Sequence, residues 1–178
     1  MYNRVGIYPG TFNPMHVGHI SFALKALEIC KLDKILLLPE RYPRGKEQVA
    51  DIDARVRHIR QLTSDYPEIE IVILNTMPIT VQSEKQELEH IFLKNDVVLL
   101  LGSDTLQKLK HWQDINLLLK DHELCVGIRG DDTKETVVEH ILALEHELEV
   151  NITYHTVTTV HKDISSTSIR ASQDYTPL

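Results

Sequence analysis

The sequence predicts an α/β protein: a doubly wound, Rossmann-like parallel sheet in a single domain spanning residues 1–178. Three observations carry that reading. Five or six short apolar runs alternate with segments of helical periodicity, the pattern of repeated right-handed strand–helix–strand crossovers. The first run, Arg4-Val5-Gly6-Ile7-Tyr8, passes through a Pro9-Gly10 turn into a loop that opens a helix. No internal repeat, low-complexity tract or linker divides the chain, and 178 residues suffice for one full core.

Composition narrows the function. Hydrophobic residues at 42% and charged residues at 25% are in the range of soluble globular domains. A net charge of −7 with no offsetting basic stripe argues against a nucleic-acid polymer as partner. Small nucleotides remain open as partners, provided that cations gather locally, which gives weight to each Lys, Arg or His in a loop after a strand. Cys30 falls in a helix pattern and Cys125 in a strand pattern, so both read as free buried thiols of a reducing compartment. The first strand occupies the N-terminus, and neither a cationic-then-apolar leader nor an apolar run of membrane length is present. The expected location is cytoplasmic with no membrane contact, and a homo-oligomer is compatible with the sequence.

Taken in order, the first helix is marked by Ile20, Ala23, Leu24 and Leu27 at 3/4 spacing. Its first turn carries His16-Val17-Gly18-His19. A helix start has unpaired N–H groups and partial positive charge, and two histidines three apart can share one face. Two imidazoles and a row of N–H groups converging on one point form a geometry suited to phosphate. Equally, His16 can cap the helix while His19 is an ordinary half-buried histidine. No Gly-x-x-x-x-Gly-Lys-Ser/Thr and no Gly-x-Gly-x-x-Gly after the first strand occurs, which excludes the P-loop and the common dinucleotide fingerprint.

Lys34–Pro39 is an apolar strand ended by proline, followed by a basic loop through Lys46. Asp51 or Asp53 can cap a helix with Ile52, Val56, Ile59 and Leu62 inward, leaving Arg55 and Arg57 facing solvent. A strand is expected at Ile69–Leu74, and a charged helix at Ser83–Lys94 with Leu88, Ile91 and Phe92 inward. Asp96–Gly102 is the most apolar strand, followed by an Asp or Ser cap and a helix closed by Trp112. Glu123–Arg129 is the fifth strand, Thr133–Leu148 an amphipathic helix, and Asn151–Val157 the last strand. The hydroxyls of Ser165, Ser166 and Thr167 can cap a final helix or donate to phosphate oxygens, and Arg170 follows one turn on. His140 and His146 have no metal-ligand spacing.

Gly10-Thr11-Phe12-Asn13-Pro14 with His16-x-Gly18-His19, together with Ile164-Ser165-Ser166-Thr167-Ser168-Ile169-Arg170, resemble the two signatures of the nucleotidyltransferases that carry a His-x-Gly-His motif. Within that superfamily the chain is most similar to the bacterial nicotinate mononucleotide adenylyltransferase family. The resemblance implies adenylyl transfer from ATP to nicotinate mononucleotide, with diphosphate released and Mg²⁺ arriving on ATP. It implies catalytic roles for His16, His19 and Arg170. It places ATP on Gly10, Thr11, Phe12, Gly18, Lys46, Gly102, Asp104, Ile164, Ser165, Ser166 and Thr167. It places the acceptor nucleotide on Thr80, Trp112 and Arg129.

The chain departs from the family in several places. Asn13 stands where the family usually has Asp, the usual Pro-Pro-His before Lys46 is absent, and Thr80 alone remains of a Ser-Tyr-Thr run. Many relatives continue for a further helix at the C-terminus. Lys46 and Arg129 also read as solvated surface cations. No carboxylate cluster suggests a metal cage built by protein alone. Two other assignments fit the same motifs: a phosphopantetheine or glycerol-phosphate nucleotidyltransferase, and a regulatory nucleotide-binding module without turnover. His16 and Trp112 count against the phosphopantetheine type, and the Ser165-Ser166 pair counts against the glycerol-phosphate type.

Overall fold

The computed structural model describes residues 3–43, 46, 48–75 and 87–172. Its strands are β1 (Asn3–Gly10), β2 (Lys34–Pro39), β3 (Ile69–Ile71), β4 (Asn95–Gly102), β5 (Glu123–Ile128) and β6 (Tyr154–Thr158). The helices are α1 (Val17–Ile29), α2 (Ile52–Thr63), α3 (Glu89–Phe92), α4 (Ser103–Leu106), α5 (Ile115–Asp121), α6 (Lys134–Leu148) and α7 (Ser166–Arg170), with a 3₁₀ turn at Leu109–His111.

All six strands pair in parallel, in the order β3-β2-β1-β4-β5-β6. β1 is central, with Ile7 aligned to Leu36 on one side and to Leu99 on the other. Because strand side chains alternate between faces, the sheet feeds two cores. Val5, Ile7, Leu99 and Leu124 pack with Leu118 of α5 and Ile141 of α6. Ile35, Leu37, Val98 and Cys125 pack with Phe22 and Ala26 of α1 and Ile59 of α2. Helices therefore cover both faces, as the alternating pattern predicts. The order of strands reverses between β1 and β4, and a doubly wound sheet opens a crevice at such a switch point, at the carboxyl ends of its strands.

Several local expectations are corrected. Of the expected stripe Ile20, Ala23, Leu24 and Leu27 only Ala23 is fully buried, and the buried face of α1 is His19, Phe22, Ala23 and Ala26. Small alanines let α1 lie close to the sheet. β3 stops at Ile71, although the Val72 N–H still donates to the Leu37 carbonyl at 2.9 Å. The charged helix is helical only at Glu89–Phe92 among the described residues. Residues 76–86, and Thr80 with them, lie outside those residues. β6 begins at Tyr154, three residues later than expected. Asp51 is the cap of α2, accepting from the Asp53 N–H at 2.8 Å. Arg55 does not face solvent: it is 1% exposed. Positions 52, 55, 59 and 62 are spaced three and four apart, so Arg55 lies on the inward stripe itself.

Candidate active site

Gly10 ends β1, and the chain then turns through Thr11, Phe12 and Asn13, with Phe12 at a positive φ of 47°. The Phe12 ring folds back under Gly10, where a Cβ would stand 2.9 Å from the ring. It packs edge-on against Tyr8 and His19, with ring centroids 5.3 and 5.2 Å away. This aromatic floor fixes the entry into α1.

His16 is the N-cap of α1 and His19 its N3 residue, and they form a reciprocal capping box. The Gly18 N–H donates to Nδ1 of His16 at 3.2 Å, and the His16 N–H donates to Nδ1 of His19 at 3.2 Å. Of the row of N–H groups expected to be free at the start of α1, those of His16 and Gly18 are therefore spent on the rings. What the rings gain is a fixed tautomer. With Nδ1 an acceptor in each, the neutral ring carries its proton on Nε2. Burial, aided by the positive charge of Arg129, lowers the His16 pKa to about 4. Burial first, then the charges of His16, Arg129 and Lys46, holds His19 well below the ordinary value. Both are neutral N–H donors near pH 7. Their centroids lie 3.8 Å apart, and Nε2 of His16 is buried without a hydrogen-bond partner among the described residues. Gly18 admits the close packing, since a Cβ there would meet the His16 ring at 3.0 Å and the His161 carbonyl at 3.1 Å.

The C-terminal motif reaches the same place across the sheet. Ser165 caps α7, accepting from the Ser168 N–H at 3.0 Å. Ser166 donates to the Pro14 carbonyl at 2.8 Å, which ties α7 to the loop before α1. The Arg170 guanidinium donates to the Asn13 carbonyl and, at 3.2 Å, to Oγ1 of Thr167. From the other side Lys46 donates to Oγ1 of Thr11 at 2.6 Å, and that hydroxyl donates to Glu40 at 2.7 Å.

These groups line one cleft of about 260 Å³ at the carboxyl ends of β1 and β4. Of the positions singled out in the sequence, Gly10, Thr11, Phe12, His19, Lys46, Gly102, Asp104, Trp112, Arg129, Ser166, Thr167 and Arg170 lie on its wall. His16 stands behind His19. Gly18 opens instead on a narrow neighbouring crevice beside Arg129 and Lys162. Ile164 and Ser165 shape the turn into α7 without reaching the wall. Neither Ser103 nor Asp104 caps α4. Ser103 accepts from the Arg129 N–H at 3.1 Å, and Asp104 faces Arg129 at 3.8 Å. Arg129 and Lys46 are thus tied to the cleft rather than loose on the surface. Gly102 leaves room for this pair, because a Cβ there would come within 2.4 Å of the Asp104 carboxylate.

Several wall residues, among them Tyr8, Glu40, Val49 and Thr105, carried no signal in the sequence reading. Arg55, behind the wall, escaped it as well, though its 3/4 spacing marks it. Among the described residues no group of three or more His, Cys, Asp or Glu side chains could hold a metal ion. Glu40 and Asp104 are the carboxylates on the cleft wall, and Lys46, Arg129 and Arg170 its cations. That set of charges suits a polyanionic ligand.

A neutral histidine backed by a second, with a lysine and two arginines around one groove, defines a site for transferring a phosphoryl-linked nucleotide. The chain belongs to the cytidylyltransferase-like family, whose model matches residues 7–172, and it is a nucleotidyltransferase. Its relatives include probable nicotinate-nucleotide adenylyltransferases. That of Flavobacterium johnsoniae is 28% identical over 95% of this chain and 86% of its own length. That of Clostridium botulinum is 30% identical over 94% and 84%. The fold is shared with Plasmodium falciparum nicotinic acid mononucleotide adenylyltransferase complexed with NaAD. The TM-score is 0.75 at 15% identity, covering 96% of this chain and 83% of that one. No described helix is long and apolar enough to cross a membrane.

Proposed function

We propose that this enzyme transfers the adenylyl group of ATP to nicotinate mononucleotide, forming deamido-NAD and diphosphate in the cytoplasm. A phosphate oxygen of the acceptor attacks the α-phosphorus of ATP in line. The bond from that phosphorus to the bridging oxygen breaks, and diphosphate leaves carrying the electron pair. Phosphate is already a competent nucleophile, so positioning and stabilisation of developing charge supply the catalysis. His19 and Arg170 donate to the phosphoryl oxygens in the transition state. His16, directly behind, and Lys46 steady the departing diphosphate. Ser166, Thr167, Thr11 and Gly10 border the triphosphate, while Asp104, Trp112 and Arg129 face the nucleosides. Mg²⁺ arriving on ATP would offset charge on its phosphates, beside the cations of Lys46 and Arg170.

The observation that carries this reading is the convergence of His19, from the first helix, and Arg170, from the last, on one cleft. The names of the relatives support nicotinate mononucleotide as acceptor. Incubation with ATP, Mg²⁺ and a panel of phosphate acceptors, with diphosphate release as readout, tests it. Turnover highest with nicotinate mononucleotide is expected. Preference for phosphopantetheine or glycerol phosphate, or ATP binding without turnover on any acceptor, overturns it.

A further inference from the structure

Arg55 is among the largest fully buried side chains and makes no ion pair with a carboxylate among the described residues. Its guanidinium is spent on three backbone carbonyls. Nε donates to Ala50 at 2.8 Å, Nη1 to Thr11 at 2.7 Å and Nη2 to Glu40 at 2.8 Å. Burial disfavours its charge, which the Glu40 and Asp51 carboxylates favour from beyond ion-pairing distance, and an apolar residue would fill the same stripe of α2 without that desolvation cost. The three acceptors are not arbitrary. Glu40 and Ala50 are the two ends of the segment that carries Lys46. Thr11 belongs to the loop after β1, and its hydroxyl receives the Lys46 ammonium at 2.6 Å. Asn13 adds a second strap: Oδ1 accepts from the Ala50 N–H at 3.2 Å, and Nδ2 donates to the Gln48 carbonyl at 3.4 Å. An aspartate here could accept the first of these bonds but could not donate the second.

We infer that Arg55, helped by Asn13, is a positioning residue for the transfer: it fastens both ends of the 40–50 segment to the Gly10–Asn13 loop and so sets Lys46 over the cleft. The inference rests on the adenylyl-transfer reading. Arg suits the task and Lys does not, because a planar fork reaches three carbonyls in separate directions whereas an ammonium presents one point.

The test is a double-mutant cycle on the full chain, Arg55→Lys against Lys46→Ala, reading kcat and KM for ATP together with Tm. Arg55→Lys alone is expected to lower kcat/KM for ATP about tenfold or more, as misplacing a catalytic group does. In the Lys46→Ala background the same change should lower it little further, because the group being positioned is gone. The Tm decrease should be equal in both backgrounds. An equal activity loss with and without Lys46, or no loss at all, overturns the inference. If Arg55→Lys yields no folded protein, Asn13→Ala takes its place in the same cycle with the same two outcomes. Should the parent enzyme release no diphosphate with any acceptor, the transfer reading fails by itself. The strap is then read by native-state trypsin cleavage after Lys46: faster cutting in Arg55→Lys supports it, and an unchanged rate refutes it.

Discussion

The backbone N–H of His16 donates to Nδ1 of His19 at 3.2 Å, so the two histidines of the motif are joined through the helix cap itself. The bond holds the His19 ring by its inner nitrogen and leaves Nε2–H as its outward donor. Capping and catalysis can be separated by substitution. Glutamine at N3 also reaches back to an N-cap N–H, so His19→Gln should fold with Tm within a few degrees of the parent. Without the imidazole donor, kcat should fall by about two or more orders of magnitude. Near-normal turnover of the folded variant would remove His19 from the transition state.

The depressed pKa of His16 gives a pH dependence of stability. Below about pH 6.5 the unfolded chain binds a proton that the buried ring refuses until about pH 4. The contribution is fully present above pH 6.5 and lost as pH falls toward 4. His16→Asn keeps an N-cap acceptor for the Gly18 N–H and abolishes the titration. Urea denaturation from pH 7 to pH 4.5 should show a shallower loss of stability in the variant. Parallel curves would mean that the ring titrates normally in the folded enzyme.

Gly102 is kept small by the cleft rather than by the sheet. A Cβ would drive the Asp104 carboxylate and the Arg129 side chain from their positions, at 2.4 and 3.0 Å. Both are flexible side-chain ends, so Gly102→Ala should leave Tm nearly unchanged while raising KM for the nucleotides about tenfold. Steady-state kinetics beside a thermal melt separate the two effects. A large Tm drop with normal KM would place the constraint in the core instead.

Gly127 is the opposite case. Its Cβ would meet the buried Phe22 ring at 2.9–3.1 Å. Gly127→Ala should destabilise the fold by about 1–3 kcal/mol through overpacking. At roughly 2–4 °C per kcal/mol for a chain of this size, Tm should drop by several degrees. Phe22→Leu in the same background should recover part of it, and failure of that rescue would locate the strain elsewhere.

Much of this was legible in the residues. The apolar runs located every strand that frames the cleft, and the two motifs marked the loops that meet there. Arg55 has inward spacing but a charge that favours solvent, and only its three carbonyl partners, brought from separate segments, decide between the two. Two of the N–H groups expected to face phosphate at the start of α1, those of His16 and Gly18, are already taken, because a histidine ring can cap a helix as a carboxamide does.

Local alternation and periodicity are set by neighbours along the chain, so the sequence by itself determined the parallel α/β class, the central first strand and the identity of the motif residues. Only the tertiary structure decided which of them share a cleft, which tautomer each histidine adopts and what a buried arginine holds. Those depend on contacts between segments as far apart as Asn13 and Arg170, 157 positions along the chain, and the spacing of neighbouring residues carries no record of such contacts.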